Sequence, residues 1–221
     1  MKEPSRGARG RPRGFDRDEA LEIAMELFWA RGYETTSLAD LTSALGIAPA
    51  SFYAAFGSKE KLFFEAVERY DAAYGALDPD DLEGVRGARA MVEKLLYGAT
   101  EAFTAKGKPR GCMVVSAATN CGPGSAAVEA AMRRQRIANE KFLERRFASA
   151  VVDGELPKDA DPRALAKYVA TVFQGMSVQA RDGASRAELR AVAELALAAL
   201  PASGDERVPP TATARRSRGG A

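Results

Sequence analysis

Histidine is absent from this sequence of 221 residues, and cysteine occurs only at Cys112 and Cys121. The lack of imidazole excludes His-based catalytic triads, His proton shuttles and nearly every transition-metal site. A glycine-rich phosphate loop and a helix face of clustered carboxylates are also missing. We therefore predict that the chain is not an enzyme and holds no metal or cofactor.

Long apolar runs are missing as well. No segment approaches the ~20 uncharged apolar residues of a membrane span, and the basic N-terminus lacks the apolar stretch of a secretory signal, so we expect a cytoplasmic protein. Alternating β-branched runs are too short to predict a strand, whereas apolar residues recur at helical spacing after Phe15. The pattern therefore predicts an all-α fold of about nine helices.

Basic residues are concentrated at the two ends of the chain. Residues 1–14 contain five basic residues and one acidic residue, and residues 201–221 are also net positive, although the whole chain carries only +2. We interpret 1–14 as a flexible basic arm in which Arg9, Arg11 and Arg13 contact a polyanion. Residues 201–221 are expected to be a disordered, solubilising tail.

The first predicted helices have clear start and stop signals. Asp16 begins an amphipathic helix that Gly32 ends. Thr36 or Ser37 caps a short second helix, which stops at Gly46, where a change of direction needs a permissive backbone.

A third helix and a connecting helix follow. Pro49 suits the first turn of the third helix because its missing N–H would have no partner there. This helix continues to Phe56, and a longer helix at about 59–77 connects two domains. We assign residues 15–60 to the first domain and 78–200 to the second.

The second domain is also predicted to be helical. Three helices are expected at about 86–106, 112–119 and 124–152. A fourth is expected to begin after a cap at Asp161, and a fifth after a capping box formed by Ser185 and Glu188.

Residues 37–56 have helix-turn-helix spacing. Two short helices flank a bend at 46–48, and the second is ~12 Å long, which suits the major groove of B-DNA. Its outward side is small and carries hydroxyls, which permits close approach to DNA; the residues are Pro49, Ala50, Ser51 and Tyr53. The alternative is an ordinary helical hairpin whose aromatic residues, Phe52 and Phe56, only pack a core.

A more specific pattern runs through this domain. It comprises residues 32–41 (GYETTSLADL), 45–47 (LGI), 51–53 (SFY) and 56–63 (FGSKEKLF). Over about residues 15–65, without a gap, the sequence resembles the TetR repressor family. The resemblance implies a homodimeric transcriptional regulator, a repressor that leaves a palindromic operator when a small effector binds.

The same resemblance implies roles for individual residues. Tyr53 and Lys59 would contact phosphates, and Thr36 would cap the second helix and touch the DNA backbone. The small residues of the third helix would face bases or the groove wall, and the basic arm would follow phosphates or enter the minor groove. Two positions depart from the pattern: Ala48 replaces a capping Ser, and Thr42 replaces a common Ala where the two helices cross.

The last two helices are candidates for a dimer face, because their apolar stripes exceed what one antiparallel pair would bury. The candidate residues are Leu165, Val169, Val172, Phe173, Leu189, Val192 and Ala196. The alternative is that these residues pack against the chain's own third helix.

A cavity for an apolar or aromatic effector is also expected, since soft and aromatic side chains suit one. Its candidate residues are Phe103, Cys112, Met113, Met132, Phe142, Phe173 and Met176. Each of them could instead be ordinary core. The turn at 110–112 (RGC) resembles one subgroup of the family, so Cys112 or Cys121 is either a thiol sensor or a buried inert thiol.

A different class of protein remains as the alternative function. A helical adaptor that binds protein, or a small-molecule-binding protein without DNA affinity, would account for the helices. It would not account for a basic arm joined directly to the helix-turn-helix spacing.

Overall fold

The computed structural model describes residues 15–75 and 79–201, apart from the side chain of Asp80. The predicted arm and all but the first residue of the predicted tail lie outside these ranges. Within them, all regular secondary structure is helical, which confirms the predicted fold class. None of these helices is long and apolar enough to cross a membrane.

Ten α-helices lie within the described ranges. They are α1 (Arg17–Arg31), α2 (Leu38–Leu45), α3 (Pro49–Phe56), α4 (Lys59–Tyr74), α5 (Pro79–Glu83), α6 (Ala88–Phe103), α7 (Met113–Ser116), α8 (Ala126–Val152), α9 (Pro162–Arg181) and α10 (Arg186–Ala198). The sequence predicts about nine. The tenth, α5, follows the connecting helix at the start of the predicted second domain, and Leu82 on it is buried.

Several predicted helix starts are confirmed. The Asp16 carboxylate accepts hydrogen bonds from two amides of the first turn of α1, at 2.8 and 3.3 Å. Asp161 caps α9 in the same way, and Ser185 and Glu188 form the capping box of α10. Side chains that satisfy these otherwise unpaired amides fix where each helix begins.

The capping role predicted for Thr36 is wrong, and the alternative, Ser37, is confirmed. Ser37 is the N-cap of α2: its Oγ accepts from the Asp40 amide at 3.0 Å, and the Asp40 carboxylate completes a capping box. The Thr36 side chain is fully buried and its Oγ donates to the Gly32 carbonyl at 2.6 Å. Thr36 therefore does not cap α2, and its contact with the DNA backbone stays a prediction.

Aromatic rings hold the first domain together. The ring of Phe63 on α4 meets Phe28 edge-on at 5.2 Å and Tyr33 at 4.9 Å, and Trp29 meets Tyr70 at 4.8 Å. All five side chains are buried. These edge-to-face contacts fix α1 against α4 and leave α2 and α3 on the outside of that pair.

The second domain buries much of the predicted dimer face within one chain. Helix α10 packs on α6 and α9, and α8 packs along α9. Four candidates for dimer contact are therefore core residues of the monomer, which corrects the prediction: Val169, Phe173, Leu189 and Ala196. Leu165 and Val172 are half-buried, and Val192 remains 41% exposed.

Hydrogen bonds join α1 to the second domain. The indole Nε1 of Trp29 donates to the Gly111 carbonyl at 3.0 Å. The guanidinium of Arg181, at the end of α9, donates to the carbonyls of Trp29 and Ala30 at 3.0 and 3.1 Å. Lys108 pairs with Glu26 of α1 at 2.6 Å. The first domain is thus positioned by the loop before α7 and by α9.

Candidate DNA-binding surface and effector cavity

The third helix has the two faces that the sequence predicts. Phe52 and Phe56 are buried, whereas Tyr53 is 52% exposed. The other outward candidates, Pro49, Ala50 and Ser51, are also exposed. The inner aromatic residues anchor the helix, so its outer side presents small groups and one phenol ring to the surroundings.

The bend before α3 follows from its residues. Gly46 ends α2 in the left-handed conformation, with φ 63° and ψ 29°. Ala48 is the N-cap of α3 and makes no side-chain cap bond, and Pro49 occupies the first turn, as predicted. The Thr42 hydroxyl donates to the carbonyls of Leu38 and Ala39 within α2, so it is satisfied inside its own helix.

Lys59 lies at the first turn of α4, where the helix dipole favours an anion. Its Nζ sits 4.2 Å from the centre of the Tyr33 ring, and partial burial lowers the pKa of its ammonium group. The side chain is therefore held in place by a cation–π contact. Arg9, Arg11 and Arg13 lie outside the described residues.

A small cavity of about 30 Å³ lies between α4, α8, α9 and residues 112–115. Cys112 and Phe173 line it, as predicted. The other five candidates are buried in the core and do not form its wall, which corrects the prediction: Phe103, Met113, Met132, Phe142 and Met176.

Sequence reasoning missed the polar part of this cavity. Tyr70, Arg136 and Gln174 line it together with Cys112. They come from three different helices, and helical spacing assigns Tyr70 only to the inward stripe of α4. No local pattern could have grouped them.

The two cysteines differ in environment. Cys112 is buried, and burial raises the pKa of its thiol; its amide donates to the Ser177 hydroxyl at 2.8 Å. Cys121 is only partly buried, and burial is again the main cause of its raised pKa. Both are therefore thiols rather than thiolates at neutral pH, which favours the inert-thiol interpretation.

The architecture matches known protein families over both domains. Residues 20–66 match the model described as bacterial regulatory proteins, tetR family. Residues 87–199 match the model of the tetracyclin repressor-like C-terminal domain. The chain belongs to the TetR family. The resemblance seen in the sequence is thereby confirmed.

Individual relatives in this family span nearly the whole chain. The HTH-type transcriptional repressor ComR of Escherichia coli K12 is 34% identical over 88% of this chain and 93% of its own length. The repressor BdcR of the same organism is 30% identical over 85% of this chain and 90% of its own.

A solved structure gives the same fold with DNA present. A cysteine mutant of the TetR family regulator CifR, complexed with a 26-base-pair operator, is 47% identical to this chain and superposes with a TM-score of 0.81. The match covers 87% of this chain and all of that one. A TetR family member with this fold is a transcriptional regulator, as the sequence predicts.

Proposed function

We propose that this chain is a homodimeric repressor that binds a palindromic DNA operator through α3 and releases it when a small effector enters the second domain. The exposed, small outer face of α3, backed by buried Phe52 and Phe56, carries this proposal. Such a face can lie in a major groove, and hydroxyls of Ser51 and Tyr53 can donate to phosphates. Operator binding by CifR supports the assignment.

Two copies are needed for a useful affinity. One helix of eight residues reaches only a few base pairs, whereas a dimer reads two half-sites about one helical turn apart. Exposed apolar side chains on α9 and α10 support a dimer face there; they are Tyr168, Val178, Val192 and Leu195. A partner would cover them in a four-helix arrangement.

A short route connects the cavity to the DNA-binding domain. Cys112 lines the cavity, and the preceding residue, Gly111, accepts the hydrogen bond of Trp29 on α1. An effector that shifts this segment would therefore move α1 and change the spacing between the two α3 helices. Repression and its release are the family's usual outcome.

Selection from a random duplex pool tests the proposal. The purified full chain should enrich a palindromic sequence, and its affinity for that duplex should fall steeply with added salt, because phosphate contacts release counterions. Recovery of no sequence, or binding that ignores salt, would favour the helical adaptor instead.

Variants then test the assigned residues on the selected duplex. Tyr53→Phe and Lys59→Ala should each weaken binding about tenfold, the loss expected for one phosphate contact. Lys59→Ala should also reduce the salt slope by about one. Fluorescence anisotropy measures both, with Tyr97→Phe and Lys158→Ala, on the second domain, as matched controls. Affinities equal to those of the controls would remove the assigned roles.

A further inference from the structure

The Tyr70 hydroxyl is a buried donor without an acceptor. Tyr70 is 1% exposed, and its hydroxyl makes no hydrogen bond with any atom of the described residues. The Cys112 thiol and the Met113 amide lie near enough to influence its pKa, but neither makes a hydrogen bond of standard geometry with it. Burial raises the pKa of Tyr70 well above its ordinary value, so the group keeps its proton. Buried polar groups normally find a partner, and Tyr70 lines the cavity together with Cys112.

The positive and negative side chains around the cavity balance one another in charge. Arg136 donates to the Val114 carbonyl at 2.9 Å, and Glu140 pairs with Lys167 at 2.6 Å. The Asp71 carboxylate accepts from the Gln135 amide at 2.5 Å. A bound cation would meet Arg136, and a bound anion would meet two carboxylates. The cavity therefore suits an uncharged molecule.

The remaining wall is apolar, and the space is small. Val114, Val115, Ala170 and Phe173 form this side. A cavity of about 30 Å³ holds one or two waters as it stands, since about 10–15 Å³ of such space is enough for one. The cavity is partly open on its outer side, so a ligand of a few heavy atoms can extend from it toward solvent. Such a ligand must be small, with a compact hydrocarbon part and a polar end toward Tyr70.

We propose that this cavity binds small, neutral molecules with one hydrogen-bond-accepting oxygen, which accept from the Tyr70 hydroxyl while their hydrocarbon part packs on Phe173. The claim that such molecules are the effector rests on the proposed function. The binding site itself is independent of DNA recognition. In the absence of a ligand, water supplies the acceptor and is displaced on binding.

Two probes of similar shape test this pairing. Cyclopentanone carries the acceptor, and cyclopentane lacks it. Ligand-observed NMR on the full chain, without DNA, should show cyclopentanone binding that weakens about tenfold in Tyr70→Phe, the loss expected for one buried hydrogen bond. Cyclopentane should bind both proteins equally. Tyr74→Phe is the matched control, because its hydroxyl is on the same helix but bonds to Glu22 at 2.9 Å.

A second measurement does not depend on a folded variant. The carbonyl ¹³C resonance of labelled cyclopentanone should move downfield on binding to the unmodified chain, as hydrogen-bonded carbonyls do. Equal ketone affinity in Tyr70→Phe and Tyr74→Phe, or no ketone binding at all, would overturn the proposal and leave Tyr70 paired with water. Ketone binding by a chain that selects no DNA would instead refute the proposed function and leave this site intact.

Discussion

At the scale of single residues, Gly111 is constrained both by its backbone conformation and by its neighbours. Its φ is +78°, and a Cβ there would lie 2.6 Å from the backbone oxygen of Ser177. Its carbonyl also holds the indole of Trp29. Glycine is required both by the left-handed backbone and by the close approach of α9.

Alanine substitutions at two glycines separate the effect of the left-handed backbone from the effect of the close contact with α9. Gly111→Ala should lower the free energy of unfolding by about 2–4 kcal/mol, because strain and a backbone clash act together. Gly107 has nearly the same φ, +76°, and a Cβ at that position would meet no atom within 4 Å, so Gly107→Ala is the control for strain alone. Urea denaturation measures both variants. Equal losses would show that α9 makes room for the methyl group.

Glu22 is the residue from which we expect a pH effect. Its hydrogen bond with Arg69 is the largest cause of a pKa lowered to about 2, and Lys108 and Tyr74 also bond to it. A carboxyl with a depressed folded pKa stabilises the fold above its unfolded pKa of 4.5, and this contribution disappears as the pH falls toward 2.

The matching variant is Glu22→Gln. At pH 7 it should lose about 1–2 kcal/mol of stability, a value reduced for the solvent exposure of these ion pairs. The difference from the unmodified chain should shrink below about pH 4.5 and be smallest at the lowest pH at which both fold. Urea midpoints between pH 7 and pH 3 measure it. A constant difference would mean that packing, not charge, is lost.

At the scale of elements, the end of α9 stabilises the end of α1. Arg181 donates to two carbonyls in the last turn of α1, which lack partners within that helix. The contact joins the domain that carries α3 to the domain that carries the cavity. We expect it to hold the DNA-binding domain in one orientation.

Removing this contact should loosen α1 without unfolding the chain. Arg181→Ala is expected to speed hydrogen exchange of amides in the last turn of α1 and to weaken operator binding several-fold, because each charged hydrogen bond contributes about 1.5–3 kcal/mol before relaxation. Arg163→Ala, at the exposed start of α9, is the control. Unchanged exchange in α1 would show that Trp29 alone positions it.

At the scale of the whole molecule, the exposed apolar side chains of α9 and α10 determine the expected assembly. Leu195 is 73% exposed on α10, and Val192 lies one turn earlier on the same helix. Both would be covered in a dimer, and Leu195 is exposed enough in the monomer that replacing it should leave the fold intact. The assembly can therefore be tested without damage to the fold.

Leu195→Glu should convert the dimer to a monomer at micromolar concentration, since two carboxylates would be brought together in an apolar interface. Light scattering after size-exclusion chromatography measures the mass, and operator affinity should fall with it. Val152→Glu is the control, because Val152 is 86% exposed at the end of α8. A dimer that survives Leu195→Glu would place the interface elsewhere.

The sequence by itself determined the features that depend on neighbours along the chain. Asp16, Asp161 and Ser185 cap helices because their side chains reach amides two or three residues on, and Pro49 starts α3 because its ring fixes the backbone there. The division of α3 into a buried and an exposed face also follows from helical spacing. These local signals sufficed for the fold class and the family.

Only the tertiary structure decided which apolar residues meet solvent, a partner or one another. It buried Thr36, turned Val169 and Leu189 into monomer core, and placed Tyr70 of α4 beside Cys112 from a distant part of the chain. Burial depends on what packs against a face from far along the chain, and a helical stripe looks the same whether its cover is internal or a second copy. The cavity and its unpaired hydroxyl arise from that long-range packing.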